Sequence, residues 1–363
     1  MEEPTHIREI FEPIINSKKI KYEVLDKLFF SNLLFDVEEV SLFFSVESIL
    51  KQFYNPNIIE IVNSCENEYK FFLSSELLNL AAHYRHYFWS RFEITSNIFF
   101  FYASKINSRA KKLNFHYRDK YYEKRFNNLE YNNLNNNILT NLNLANMLSD
   151  YLPHIYVVDT GDIEPSIFME SIIANNKAPD LMNFIFSNNL IDMQEVIYDK
   201  TNIITLKSDN SKLIDKDNIY HYLLRSSKSK NNTSISMNLF TTIFSIVGYP
   251  PHNLEGIKNC GIVKTIQRME KYIEEGLVID KKSLNPEAVF ELFANSKRLK
   301  NQCIKNFQII DYQYGYEMLN KFQLEKFRNQ LNDKSDNQEL MNINNKYFQA
   351  YPLNLIELFE GEN

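Results

Sequence analysis

The sequence predicts an α/β fold: a largely parallel sheet flanked by helices, followed by a helical lobe. Short apolar runs alternate with helical segments over residues 39–215, a pattern typical of parallel sheets whose strands are joined by helices. From Asn218 onward the apolar residues recur almost wholly at helical spacing, which predicts helices. The chain can bury a large core, because 44% of its 363 residues are hydrophobic, with 28 Phe and 22 Tyr among them.

Five short runs of β-branched and aromatic residues predict the strands of a sheet that is buried on both faces. They cover residues 40–44, 98–102, 154–158, 182–187 and 202–207. Apolar residues at helical spacing predict the helices between and around these strands. The helices cover most of residues 1–38, then 46–53, 66–89, 163–174 and 234–247.

This pattern divides the chain into three parts. We expect residues 1–38 to form an N-terminal helical extension, residues 39–215 the α/β core, and residues 216–363 the helical lobe. Within the core, residues 105–150 begin with a basic segment and continue into an Asn-rich, low-complexity connector at 127–143.

Cysteine content and hydropathy limit the class of protein. The three cysteines, Cys65, Cys260 and Cys303, are odd in number and widely spaced, which argues against a disulfide framework and a zinc cluster. The N-terminus does not resemble a signal peptide, and no uncharged apolar run is long enough to span a bilayer. We therefore expect a cytoplasmic protein with no membrane partner. Heavy use of Asn, Lys and Ile indicates an A/T-rich coding genome, which fits a low-GC bacterium or a phage, whose protein would act in the host cytoplasm.

The basic residues are concentrated in one segment. The net charge of −6 argues against general affinity for nucleic acid, yet residues 105–125 carry eight basic and only two acidic residues. Aromatic residues are interleaved, so the functional interpretation is contact with phosphates, with rings stacking on unpaired bases. The alternative is a solvated helix face whose aliphatic stems cover apolar surface. The basic residues are Lys105, Arg109, Lys111, Lys112, Arg118, Lys120, Lys124 and Arg125.

Residues 247–265 resemble the metal-site loop and DNA-gripping turn of flap endonucleases and 5′–3′ exonucleases, a family with a fold related to PIN domains. The family loop reads Gly-Asp-x-x-Asp-Asn and leads into a Gly-rich helix-hairpin-helix. Here the frame is kept, but two neutral residues stand at the acidic positions. Gly248, Asn253, Gly256 and Gly261 keep the frame, and Tyr249 and His252 replace the acids.

Further motifs follow in the family's order, so that the resemblance covers roughly residues 39–355. Residues 105–125 resemble the segment that leads into the family's arch over the 5′ end. The start of its acidic helix, its fourth-strand exit, the elements before the hairpin and the ending of phage members are also matched. These matches lie at residues 163–166, 187–194, 202–224 and 342–355.

The resemblance implies a helix-hairpin-helix at residues 248–270 that holds one DNA strand without reading its sequence. This sequence departs from the family pattern at two positions. Asn259 stands at the family's second glycine, and Lys264 lies one residue later than the family's lysine. The alternative is an ordinary αα-hairpin. The implied contacts are Lys258, Gly261, Lys264 and Arg268.

Family enzymes hold two divalent ions with clustered carboxylates, and of the matched acidic positions here only Glu164 keeps its acid. We therefore expect no catalytic residues and no metal cofactor. A shift in register would make Glu164 and Asp192 the candidate ligands of Mg²⁺; otherwise Glu164 is expected to bond N–H groups at a helix N-terminus. His252 is either a transition-metal ligand or, as we favour, a packed histidine. The vestigial positions are Ser45, Ala103, Glu164, Ser166, Ile167, Asn189, Ile191, Tyr249 and His252.

These inferences lead to one main hypothesis and two alternatives. The main hypothesis is a catalytically degenerate protein of this type, a pseudonuclease. It would bind branched or 5′-ended DNA, or serve as a subunit of a phage replication, transcription or virion assembly. The first alternative is a divergent but active Mg²⁺-dependent 5′ nuclease. The second is a scaffold without DNA binding, with residues 1–38 as the docking element for a protein partner.

Overall fold

The computed structural model describes most of the predicted core and helical lobe. The described residues are 22–29, 33–46, 80, 83–103, 105, 107–119, 154–175, 178–206, 210–224, 236–278 and 285–332. No helix within these ranges combines the length and the apolar character needed to cross a membrane.

The core is a six-stranded sheet, in which β1 to β5 are parallel and only β6 runs antiparallel. The prediction of a largely parallel sheet flanked by helices is confirmed. The strands follow the order β3-β2-β1-β4-β5-β6. Strands β2 and β3 are added on one side of β1, and β4 to β6 on its other side, so the strand order reverses between β1 and β4. They are β1 Glu39–Ser45, β2 Thr95–Tyr102, β3 Ile155–Asp159, β4 Leu181–Phe186, β5 Thr201–Ile204 and β6 Leu213–Ile214.

Strand β1 is central and almost entirely buried, which is why its sequence is an apolar run rather than an alternating one. The ring of Phe44 stacks on Phe186 of β4 at a centroid distance of 4.3 Å and on Phe100 of β2 at 5.4 Å. Aromatic stacking between neighbouring parallel strands therefore runs across the middle of the sheet.

Part of the predicted N-terminal extension packs against this sheet. Helix α1, Tyr22–Leu28, leads to Phe29, whose ring meets Phe184 of β4 edge-on at 4.8 Å. Residues 83–92 are helical and provide Phe88 to the same cluster, 5.0 Å from Phe29. The prediction of helix up to residue 38 is wrong for residues 33–38, which form turns. Leu34 and Val37 are buried there, so apolar residues three apart serve a packed turn rather than a helix face.

Several predicted segments fall outside the described residues. They are the remainder of residues 1–38, nearly all of the predicted helix at 46–53, most of the helix at 66–89, the connector at 127–143 and the motif at 342–355.

From Ile219 onward the described residues are almost wholly helical, as predicted. The predicted helix at 234–247 begins late, as a single 3₁₀ turn at Met237–Leu239 followed by an α-helix. The helices after α1 are α2 Ser108–Leu113, α3 Pro165–Ile173, α4 Ile219–Leu224, α5 Phe240–Val247, α6 Ile262–Glu274, α7 Pro286–Phe293, α8 Lys297–Ile310, α9 Tyr312–Glu317 and α10 Lys321–Asn332. A 3₁₀ helix, Leu190–Ile197, follows β4.

The turn between α5 and α6 is closed by a two-stranded ribbon, β7 Gly248–Tyr249 with β8 Leu254–Glu255. Gly248 has a φ of +78°, which favours glycine. A Cβ on Gly256 would lie 1.9 Å from the carbonyl oxygen of Val247. Of the three glycines in the predicted loop frame, Gly248 and Gly256 are therefore required by close approach of backbone to backbone.

We predict that Gly256→Ala lowers the free energy of unfolding by about 3 kcal/mol, because the new methyl group overlaps backbone that cannot rotate away. Urea unfolding measures the effect. Gly261→Ala is the matched control, since a Cβ there meets nothing within 4 Å, and it should cost less than about 1 kcal/mol. Equal losses for the two variants would contradict this account of the turn.

Candidate functional site

The candidate site lies at the carboxyl edge of the parallel strands, where the strand order reverses between β1 and β4. In open α/β sheets this is the position at which ligands bind. Ser45 ends β1, Ala103 directly follows β2, and Ser187 directly follows β4. Helix α3 begins nearby after β3, with Glu164 immediately before it.

Asp192 is the centre of a buried hydrogen-bond network. Its side chain, only 3% exposed, accepts four hydrogen bonds from side chains. On Oδ1 the donors are Ser166 Oγ at 3.0 Å, Asn189 Nδ2 at 3.0 Å and the Tyr312 hydroxyl at 2.7 Å, and on Oδ2 the donor is Ser187 Oγ at 2.5 Å. A carboxylate has about four lone-pair sites, and four of the protein's own donors already bond this one, three of them on Oδ1.

The Tyr312 hydroxyl stays a donor in this network. Burial, and then the neighbouring negative charge of Asp192, raise the pKa of Tyr312 well above its usual value. The hydroxyl therefore stays protonated and donates a hydrogen bond to the carboxylate.

Glu164 is held by a second set of partners. Its Oε2 accepts from the Tyr117 hydroxyl at 3.0 Å and Asn107 Nδ2 at 3.4 Å, and its Oε1 lies 3.4 Å from Arg118 Nη1. The Arg118 and Glu164 side chains are only 5% and 8% exposed. The expectation that Glu164 bonds N–H groups at the start of α3 is wrong, because it makes no side-chain capping bond there. Its carboxylate is satisfied by tertiary contacts instead.

Tyr249 and His252 connect the two carboxylates. The Tyr249 hydroxyl donates to Asn189 Oδ1 at 2.8 Å, and its ring meets the His252 ring edge-on at 4.8 Å. His252 Nδ1 in turn lies 3.5 Å from the Tyr117 hydroxyl. Tyr249 and His252 thus link the surroundings of Asp192 to those of Glu164 through one hydrogen bond at each end and a ring contact between them, with His252 packed between tyrosines.

Hydrogen bonds to main-chain carbonyls position the segments that carry these side chains. Arg118 ends a turn with a φ of +51°, and its N–H donates to the His252 carbonyl at 3.1 Å. Asn114 Nδ2 donates to the Asn253 carbonyl at 2.9 Å, and Asn253 Nδ2 donates to the His116 carbonyl at 2.8 Å. Asn253 has a φ of +55°, a left-handed conformation that Asn tolerates better than most residues. The segment after α2 and the loop after α5 therefore form one unit.

The residues at this edge do not fit a pair of Mg²⁺ ions. Each ion needs several free oxygen ligands, whereas Asp192 already accepts four hydrogen bonds and Glu164 is paired with a guanidinium. Across the described ranges, no three His, Cys, Asp or Glu side chains form a group that could hold a metal ion. Asp159 and Asp162, the other acids nearby, accept from Gly161 N and Ser108 Oγ. No chemical step through a metal follows from this arrangement.

The predicted DNA contacts of the basic segment divide into exposed and enclosed side chains. Lys105 and Lys112 are exposed. Lys111 forms an ion pair with Asp119. Arg109 is half-buried, donates to the Gln308 carbonyl at 2.9 Å and covers the Tyr314 ring, and Arg118 lies inside the network. Lys120, Lys124 and Arg125 lie outside the described residues.

The predicted hairpin is a turn between α5 and α6 with an exposed basic surface. Lys258, Gly261 and Lys264 are exposed. Arg268 is held over the Phe293 ring, 4.6 Å from its centroid. Asn259, at the family's second glycine, has a φ of +68°, so it provides the left-handed conformation that the turn needs.

The sheet order and the helical region that follows define a PIN and flap-endonuclease-like fold. Two solved structures are similar to the chain, each over 81% of this chain and 98% of their own. The T5 D15 protein co-crystallised with metal ions aligns with a TM-score of 0.55 and 11% identity, and T5 5′-exonuclease with bound zinc aligns with a TM-score of 0.52 and 12% identity. At these identities the likeness establishes the fold alone. No protein-family model and no curated protein sequence matches the chain.

The structure brings together five of the vestigial positions: Glu164, Ser166, Asn189, Tyr249 and His252. Sequence reasoning missed the largest new contributor, Tyr312, which lies 120 residues from Asp192. It also missed the structural role of Tyr117. Tyr312 begins the tyrosine-rich helix α9, whose sequence is Tyr-Gln-Tyr-Gly-Tyr-Glu, and no local pattern distinguishes it from the other two tyrosines there.

We predict that Arg118→Met lowers the free energy of unfolding by about 3 kcal/mol at pH 7, because it leaves the buried Glu164 carboxylate without its cation. Urea unfolding measures the loss. The double variant Arg118→Met with Glu164→Gln is the matched control: it removes both charges and should recover most of the loss. A single variant as stable as the unmodified protein would show that this ion pair does not neutralise buried charge.

Proposed function

We propose that this chain is a catalytically degenerate flap-endonuclease-like protein that binds branched or 5′-ended DNA without cutting it. The fold supports the first half of the proposal. The observation that carries the second half is the engagement of Asp192 by four donors, together with the pairing of Glu164 with Arg118. Stabilising the charge that develops during phosphodiester cleavage needs free ligands for cations at this edge.

Two exposed basic surfaces support the DNA-binding part. Lys105 and Lys112 flank the start of the basic segment, and Lys258 and Lys264 flank the N-terminus of α6. Gly261 caps that helix without a side-chain bond and with open space around it, so its first N–H groups are available to a phosphate. The Asn114 and Asn253 contacts join the two surfaces into one rigid unit.

An exposed aromatic ring lies on the same unit. Phe115 is 78% exposed, although the turn around it is held by Lys111, whose ammonium donates to the Phe115 carbonyl at 2.9 Å. A rigidly presented ring beside lysines suits stacking on an unpaired base. We leave Arg109 and Arg118 out of the proposed DNA surface, because the protein's own groups engage their guanidinium groups.

The cellular setting is part of the proposal. The A/T-rich coding bias and the resemblance to phage members support a phage protein in the host cytoplasm. There it would act as a non-cutting subunit of an assembly that processes nucleic acid.

We predict no cleavage of a labelled 5′-flap substrate with millimolar Mg²⁺ or Mn²⁺, because the two carboxylates in the described network at this edge are already engaged by the protein's own groups. The melting temperature should also stay unchanged on adding either ion, since an ion that bound the native state would raise it. Cleavage that Glu164→Ala and Asp192→Ala abolish would overturn the proposal in favour of an active nuclease.

We predict that the protein shifts the same flap in a gel at moderate salt. The double variants Lys105→Glu with Lys112→Glu, and Lys258→Glu with Lys264→Glu, should each bind at least about tenfold more weakly, with a salt slope reduced by roughly 2. Lys27→Glu with Lys216→Glu is the charge-matched control, because both lysines are exposed outside these surfaces.

Unchanged affinity and salt slope in the two test variants would exclude these surfaces as the DNA contact. Absence of any shift by the unmodified protein would favour a scaffold without DNA binding.

A further inference from the structure

A cavity of about 320 Å³ lies behind the carboxyl-edge network. The cavity and the network are neighbours, because adjacent residues of the chain contribute to each. The Tyr312 hydroxyl donates to Asp192 in the network, whereas Asp311 lines the cavity. Aromatic side chains form much of the wall, namely Tyr198, Phe307 and Tyr314. The cavity is large enough for a small organic ligand.

Three carboxylates from two elements face this cavity: Glu170 of α3, and Asp311 and Glu317 at the two ends of α9. Asp311 is anchored by Thr241 Oγ1 at 2.9 Å and by the Tyr314 N–H at 2.7 Å. Glu170 accepts from the Tyr198 hydroxyl, and Glu317 accepts from Gln313 Nε2 at 3.2 Å. All these donors are neutral, and no Lys or Arg of the described residues lines the cavity.

A fourth carboxyl, that of Glu195, lies directly behind the wall. It is 0% exposed. Its neighbour is the Glu170 carboxyl, which faces the cavity and forms a side-chain hydrogen bond with it. Because two ionised carboxylates cannot bond each other, this pair must hold a proton, and it adds buried acid directly beside the three carboxylates that face the cavity.

The pKa values of these carboxyls are raised, as expected where negative charge is in excess. Burial, and then the charge of Glu170, raise the pKa of Glu195 well above its usual value. Burial also raises the pKa of Glu170 and of Asp311. The other charged groups around the cluster are Asp192 and Arg109, and the Arg109 guanidinium lies over the Tyr314 ring and donates to the Gln308 carbonyl.

We propose that this cavity binds an organic cation, a primary ammonium or guanidinium group on a short aliphatic chain. Carboxylates would accept its N–H donors, and the aromatic wall would contact its charge and its methylene groups. A metal ion fits less well, because no three metal-ligating side chains of the described residues form a group that could hold one. This site is independent of the proposed DNA surface.

The cation has two possible sources with the same chemistry, a free small amine or the side chain of a Lys or Arg on a protein. Isothermal titration of the full chain distinguishes them with 1,4-diaminobutane and with a capped tripeptide Gly-Arg-Gly. Tighter binding of the diamine indicates a free amine, and tighter binding of the peptide indicates a protein side chain. The matched neutral probe is 1,4-butanediol, which should not bind.

Variants then locate the site. Glu317→Gln, at an exposed residue, and Glu170→Gln should each weaken binding of the cationic probe by about tenfold. Glu274→Gln, an exposed acid on α6, is the control and should bind as the unmodified protein does. Circular dichroism confirms that each variant is folded.

The pH dependence has a defined sign. A bound cation favours the ionised carboxyls, so binding should release protons and tighten as the pH rises through their raised pKa values. Glu195→Gln should reduce the number of protons released, which titration in buffers of different ionisation enthalpy measures. The proposal is overturned if neither cationic probe binds, if the diol binds equally well, or if Glu317→Gln and Glu170→Gln bind as the unmodified protein does.

Discussion

Two buried negative charges at the carboxyl edge of the sheet set the requirements for everything around them. An ionised carboxylate enclosed by protein is very costly unless donors or a cation compensate it. Asp192 is compensated by neutral donors, and Glu164 by Arg118 together with Tyr117 and Asn107. Ser166 and Asn189 act as donors to the Asp192 carboxylate, so these neutral residues are part of the network.

The sheet could be predicted from the sequence because each of its five parallel strands is a compact apolar run between polar segments. The boundaries moved by a few residues, since the end of a strand depends on its neighbours in the sheet. The turn at 33–38 could not be told from a helix, because Leu34 and Val37 have helical spacing but are buried by packing rather than by a helix face.

Within the site, motif order brought Ser166, Asn189 and Tyr249 to one place correctly, because each follows a predicted element at a fixed offset. Tyr312 could not be predicted as a partner, since it lies 120 residues from Asp192 and is one of 22 tyrosines. Arg118 looked like a DNA contact because its sequence neighbours are basic. Whether a guanidinium faces solvent or the interior depends on the fold, which local sequence does not reveal.

The backbone path of the ribbon between α5 and α6 does not depend on acidic side chains. Its path is dictated by main-chain crowding at Gly248 and Gly256 and by the left-handed backbone of Asn253, none of which involves an acidic side chain. The bend therefore does not require acidic side chains at positions 249 and 252. A loop whose path is set by its main chain can carry different side chains on the same outline, so its shape does not reveal its chemistry.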